Sequence, residues 1–303
     1  MLYTDNVNQL IFWVLIPLVL ISFLFFRIVE WHFYNDGGRK EIAQQHLVNL
    51  KNLDDINCLI LGGSNSFFGL SAEQMSINSK LNCYNLSLLN EGYSDESYFT
   101  YIKSAPISYK EINYIFYSTA YLLADDKLFT KRLKNNEDKI GISGDTSFRM
   151  FGDSLALRLK NLLEGNSFSK FYFQYPNPNK RGDFNFELYD GCDSEKIKDK
   201  WILTSKQEEL KNWIKLNLLR IKSLFHNAEV YLISPSKLGN NKNRADLASL
   251  SNYLQAEAAI LSFSYIEQSL FINKDVLCDS DIHANRTGRN IRTSELLDLI
   301  HSE

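Results

Sequence analysis

Five short apolar runs, separated by helix-patterned stretches, constrain this chain most. They are Asn57–Leu61 (NCLIL), Asn82–Leu88 (NCYNLSL), Ile112–Ser118 (INYIFYS), Ala228–Ser234 (AEVYLIS) and Phe263–Leu270. Runs of this length bounded by turn residues read as buried strands, and their alternation with helices reads as βαβ units in a parallel sheet. The intervening stretches carry the other period. Leu210, Trp213, Ile214, Leu218, Ile221, Leu224 and Phe225 are spaced mostly three and four apart, which predicts an amphipathic helix over 205–225. Ser205 and Glu208 give it a capping-box pattern, and Asn217 interrupts its apolar face. Further helices are expected over about 40–50, 244–261 and 287–300. Residues 123–204, with Pro176, Pro178 and aromatic pieces such as Tyr172, Phe173 and Tyr175, break the alternation and read as an insertion between the third and fourth strands.

Ahead of this pattern, Leu10–Phe26 reads LIFWVLIPLVLISFLFF without a charge. About twenty residues at about 1.5 Å each cross a hydrocarbon core. Trp13, Trp31 and Tyr34 lie near its ends, where amphipathic rings prefer to sit. No polar stripe marks a buried core helix. No basic leader or small-residue cleavage site marks a signal peptide. The expected organisation is a tail (1–9), a single transmembrane helix (10–29), a juxtamembrane connector (30–50) and an α/β domain (51–303). Arg27, Arg39 and Lys40 follow the span while no Lys or Arg precedes it, so the positive-inside rule taken alone puts the domain in the cytoplasm.

The net charge of -3 gives no basic field, which argues against a nucleic-acid partner. The four cysteines form no C-x-x-C pair, so no zinc site is expected. Cys58 and Cys83 lie inside apolar runs, and small buried thiols are expected there rather than a disulfide.

Chemistry concentrates at two places. In Leu59–Gly69 (LILGGSNSFFG) a buried strand runs into a Gly-Gly turn, then Ser64, then a helix pattern. Ligands of open α/β sheets bind beyond the carboxyl ends of strands, and a serine at a helix start gains amide donors suited to an oxyanion. Ser64 could also be a plain N-cap, or the turn an anion nest. The second place is Leu277–Arg289 (LCDSDIHANRTGR). Of the five histidines, His32 and His46 belong to the anchor and connector, His226 ends a helix, and His301 lies in the tail. Only His283 sits in a polar loop near the carboxyl end with Asp279 and Asp281 beside it. A serine nucleophile needs such a base, and the base needs a carboxylate to fix its tautomer.

Together these segments resemble the SGNH (GDSL-like) hydrolase superfamily. Gly62-Gly63-Ser64 is similar to its first block, with Gly63 where Asp is usual. His283-Ala284-Asn285-Arg286-Thr287-Gly288 is similar to its last, H-x-N-x-x-G, block. The resemblance implies a three-layer α/β/α, flavodoxin-like parallel sheet, with Ser64 as nucleophile and His283 as base. It needs no cofactor and no metal. Ser280 stands three before His283 where the family has Asp, so the triad acid is read as Asp281, in a D-x-H spacing like that of alginate O-acetyltransferases, with Asp279 in reserve. Gly92 is the implied second oxyanion donor, with Asn90 less favoured. The family's third-block Asn is missing from Tyr117-Ser118-Thr119-Ala120, so Ser118, or Thr119, stands in for it. A literal G-D-S-L at Gly152–Leu155 falls in the insertion after no convincing strand and is rejected.

By the same resemblance, the chain is a serine esterase or O-acyltransferase acting on O-acetyl groups of a cell-surface or exported polysaccharide. It sits in the inner or plasma membrane with its domain outside the cytoplasm, against the charge count. Its partners are the membrane, an acylated glycan or other ester, and a membrane acyl-donor protein. Tyr172, Phe173 and Tyr175 could line a sugar-binding face or belong to the core. Two rivals stay open: a non-catalytic glycan-binding or assembly protein of the same fold, and a cytoplasmic-face phosphate- or nucleotide-binding α/β protein using Gly62-Gly63-Ser64 as an anion nest.

Overall fold

Each of the five apolar runs contributes a strand. β1 (Cys58–Gly62), β2 (Cys83–Asn85), β3 (Tyr114–Ser118), β4 (Glu229–Ile233) and β5 (Ser264–Ile266) form one parallel sheet in the order β2-β1-β3-β4-β5. This computed structural model describes residues 17–18, 21–22, 39–89, 95–119, 176–189, 191–197, 207–239, 241–271 and 273–302. The chain divides into two units, 1–40 with 142–175 and 41–141 with 176–303, and the sheet belongs to the second. Flanking residues carry the β1–β2 pairing one step past each end: the Asn57 amide donates to Asn82 O, and the Leu86 amide to Ile60 O.

Helices cover both faces. They are α1 (Arg39–Leu50), α2 (Ser64–Gly69), α3 (Ala72–Asn78), α4 (Asp95–Ser104), α5 (Gln207–Leu224), α6 (Asn241–Leu261) and α7 (Arg286–Ser302). Strand side chains alternate between the faces. Cys58, Ile60, Phe116 and Ile233 pack on one side with Ala72 and Met75 of α3 and Leu296 and Leu297 of α7. On the other side the Tyr117 ring stacks on Trp213 of α5, and the Tyr265 hydroxyl meets Ser251 of α6. The Gly62 amide donates to the Tyr98 hydroxyl of α4. The expected α/β class and parallel sheet are therefore present. The order reverses between β1 and β3, which makes their carboxyl ends the switch point where ligands of such sheets bind.

Of the apolar N-terminal run, only residues 17–18 and 21–22 are described; they are helical, with Leu18 and Ile21 exposed. Among the described residues no helix is long and apolar enough to cross a membrane. The rest of the expected span lies outside the described residues, as do Tyr172, Phe173, Tyr175 and Gly152–Leu155. What is described of the insertion is irregular, with single 3-10 turns at Phe186–Leu188 and Ser194–Lys196.

The cysteines correct the expectation of free thiols. Cys58 bonds to Cys83, and Cys192 to Cys278. The first pair is buried, as its apolar runs predict, yet it is paired. The signal lies in strand register: β1 and β2 place Cys58 directly opposite Cys83 with Cα atoms 4.3 Å apart. No linear spacing encodes that.

His46 also departs from its reading as a connector residue. It lies on the inner face of α1 and is fully buried, its Nδ1 3.0 Å from the Tyr84 hydroxyl and its ring edge-on to Phe67. Burial pushes its pKa down to about 3. The unfolded chain therefore binds a proton near pH 6.5 that the native state refuses until about pH 3. Stability should be full above pH 6.5 and fall as pH drops towards 3, by a few kcal/mol at roughly 1.4 kcal/mol per unit. Chemical denaturation across this range should show the slope in the wild type and a clearly shallower one in His46→Gln; parallel slopes would refute the assignment.

Candidate active site

β1 ends at Gly62, and the chain turns at once into α2 at Ser64. Gly62 has φ +134°, and a Cβ there would lie 1.9 Å from the Ser118 carbonyl oxygen and 2.5 Å from Ser66 Oγ. Only glycine tolerates both that backbone angle and that approach. The ends of β1 and β3 consequently meet in register, Gly62 against Ser118. Two side chains of α2 fasten the joint: Ser66 Oγ donates to Ser118 O, and Asn65 Nδ2 donates to Ser118 Oγ at 2.8 Å. Ser64 is thereby held at the head of α2, over the switch point and 9% exposed. The amides of a first helical turn have no intrahelical acceptor, so the Ser64 N–H is available to a bound anion.

His283 arrives from the other end of the chain on a tight hairpin. Leu277 and Ala284 form its antiparallel base, and the Cys278 amide donates to His283 O at 2.8 Å. Within the loop Asp279 and His283 face each other. His283 Nδ1 lies 2.6 Å from Asp279 Oδ1, and His283 Nε2 lies 2.8 Å from Ser64 Oγ. Burial would push the Asp279 carboxyl up, but the hydrogen bond and charge of His283, helped by the Tyr189 hydroxyl, outweigh it and hold the group below the usual carboxylate range. An ionised carboxylate only accepts, so Nδ1 carries the ring proton and Nε2 accepts from the Ser64 hydroxyl. That is the protonation pattern a serine nucleophile and its base require.

Asp281, expected as the carboxylate beside the His283 ring, does not meet it; Asp279 does. Asp281 and Ile282 form the tip of the hairpin and turn inward, 1% and 2% exposed. Asp281 pairs with the equally buried Lys237, Nζ to Oδ2 at 2.5 Å, and Ile282 O accepts from Ser236 Oγ. A D-x-H spacing suits an extended strand. In this hairpin turn Cys278 lies across from His283, and the next residue, Asp279, turns its carboxylate onto the ring.

Ser118 stands at the end of β3, 1% exposed, and because its Oγ accepts from Asn65 its own hydroxyl proton remains to be donated. Thr119 beside it is fully buried. Gly92 and Asn90 lie outside the described residues. Among the described residues, no group of three or more metal-ligating side chains converges.

Sequence reasoning missed four neighbours. Phe68 stacks flat on the His283 ring at 4.4 Å and is backed by Phe184 at 4.1 Å. Tyr189 donates to Asp279 Oδ2 at 3.2 Å. Lys237 and Asn65 complete the set. Asn65 adjoins Ser64, and Phe68 follows one helical turn later, which could have marked both. Nothing in the sequence pointed to Tyr189 or Lys237.

No family model matches the sequence. No curated protein matches it either. Among solved structures the chain is similar to the crystal structure of phospholipase A1 from Streptomyces albidoflavus NA297, at 8% identity and a TM-score of 0.35, over 82% of this chain and 99% of that one. A likeness of that size carries no argument about what this chain does.

The two aspartates should separate cleanly on mutation. Asp279→Asn should slow fluorophosphonate labelling of Ser64 by about 10³–10⁴-fold with little change in unfolding midpoint. Asp281→Asn should leave the buried Lys237 charge without its carboxylate and cost on the order of 3 kcal/mol in denaturant unfolding. The reverse pattern would restore Asp281 to the triad.

Proposed function

We propose that this chain is a membrane-anchored serine esterase or O-acyltransferase that acts on O-acetyl groups of a cell-surface or exported polysaccharide through an acyl-enzyme. The observation that carries the reading is the continuous hydrogen-bonded chain Ser64 Oγ, His283 and Asp279 at the switch point of the sheet. His283 Nε2 takes the Ser64 proton as Oγ attacks the ester carbonyl. Asp279 stabilises the resulting imidazolium. The amides of Ser64 and Gly92, with the Ser118 hydroxyl, would hold the oxyanion. His283 then returns the proton to the departing alcohol. Water or a sugar hydroxyl, deprotonated by the same ring, releases the acyl group.

Two disulfides support a domain outside the cytoplasm, because such bonds persist in oxidising compartments. Their weight exceeds that of three cationic residues after the span. The membrane anchor itself rests on the charge-free run Leu10–Phe26. A membrane acyl-donor protein is the partner a transferase would need, and the glycan is the acceptor. One observation favours a non-catalytic glycan-binding protein instead: Ser118 stands where a catalytic member would carry Asn.

Full-length protein should form a covalent fluorophosphonate adduct at Ser64 and release acetate from short-chain esters or O-acetylated glycan. Ser64→Ala should lower turnover by at least about 10³-fold. Absence of both adduct and turnover would favour the binding protein. A reporter fused after Glu303 should be active only outside the cytoplasm; one active only inside would overturn the exported placement.

A further inference from the structure

The returning segment of the insertion is joined to the hairpin that carries the triad acid by three separate links. The Tyr189 hydroxyl donates to Asp279 Oδ2 at 3.2 Å. The Asp193 amide donates to Cys278 O at 2.8 Å. Cys192 is bonded covalently to Cys278, across a sequence separation of 86 residues. All three land on Cys278 and Asp279, one turn of the hairpin before His283. Gly191 makes the arrangement possible, since a Cβ there would come within 2.5 Å of the Tyr189 ring. The segment is otherwise irregular, a single 3-10 turn on each side of Gly191. An irregular segment holds a hydroxyl in place only if something fastens it.

We propose that Tyr189 is a positioning residue for Asp279 and that the Cys192–Cys278 disulfide is what delivers it, so that the site is fully competent only in its oxidised form. This rests on the Ser64–His283–Asp279 reading. Asp279 Oδ1 is used by His283 Nδ1. With Oδ2 held by Tyr189, the carboxylate plane is fixed at both oxygens, and the imidazole is fixed with it. Cutting the disulfide removes the one covalent link, leaving the Asp193 amide bond and the packing of the Tyr189 ring on Phe184 and Phe68, and the Tyr189–Oδ2 contact loosens. The chemistry of the cut is simple. A dithiol gives two electrons and two protons, the S–S bond becomes two S–H groups, and the dithiol closes to its own disulfide. The two cystines differ in access. Cys192 is exposed, whereas Cys58 and Cys83 are both fully buried between β1 and β2. Mild reductant should therefore reach the Cys192–Cys278 bond alone, through the exposed Cys192.

The test uses the full-length protein, oxidised and then treated with dithiothreitol until two thiols titrate. Tyr189→Phe keeps the ring and removes only the donor. Losing one hydrogen bond to a charged group should lower kcat on a short acetyl ester by about 10- to 100-fold. KM should stay within about twofold, since Tyr189 acts through Asp279. Reduction should lower kcat comparably, reoxidation should restore it, and reduction of Tyr189→Phe should add little, because the two act on one contact. The downfield proton resonance of His283 Nδ1–H gives a readout independent of turnover and should shift or broaden in both cases. Unchanged kcat and resonance in Tyr189→Phe or in the reduced protein would overturn the proposal, and so would a raised KM at constant kcat. No adduct at Ser64 in oxidised wild type, with the resonance still responding, would instead sink the catalytic reading and leave the positioning role standing.

Discussion

The structure depends on how closely two strands can approach at their carboxyl ends, and a single hydrogen atom at Gly62 decides it. With any side chain there, the Ser118 carbonyl would be displaced and β1 could not end level with β3. Level ends let Ser66 and Asn65 reach across to Ser118. Those bonds orient α2, and α2 points Ser64 into the switch point. Ser64 owes its position to backbone geometry, with no side-chain cap at the head of its own helix.

A second constraint holds the other half of the site. The hairpin from Leu277 to Ala284 is too short to be rigid by itself, so its neighbours hold it. Lys237 takes Asp281, Ser236 takes the Ile282 carbonyl, and Asn285 caps α7 by accepting the Gly288 amide while donating to the Asp275 carbonyl. An ion pair this deep contributes little net stability when compared with an apolar substitute, but it admits only one arrangement of the loop. Phe68 adds a flat wall against which the imidazole lies. Specificity of geometry is what these contacts supply.

Much of this is legible in the residues. All five strand runs, the amphipathic α5 and the closing helix α7 follow from periodicity, because burial on one face leaves its imprint at fixed spacing. The meeting of Ser64 and His283 is legible because each lies where strand topology gathers polar side chains. The similarity of Asn285 and Gly288 to a known block reflects a helix cap rather than chemistry. Spacing favours Asp281 over Asp279 wrongly, because a linear interval does not say whether the chain is extended or turned. The two disulfides and Tyr189 are illegible for a related reason. Cys58 meets Cys83 through register, and Tyr189 meets Asp279 across 90 positions of sequence. Contacts of that kind are properties of the assembled sheet and its loops.

The site is assembled from residues far apart in sequence, with 219 positions between Ser64 and His283. During synthesis Ser64 emerges early and waits. Any chain that stops short of Asp279 has Ser64 at its turn without the imidazole and the carboxylate that meet it in the whole domain. The last hairpin thus closes the hydrogen-bonded set in one step, when its loop has formed and α7 has packed against α2 and α3.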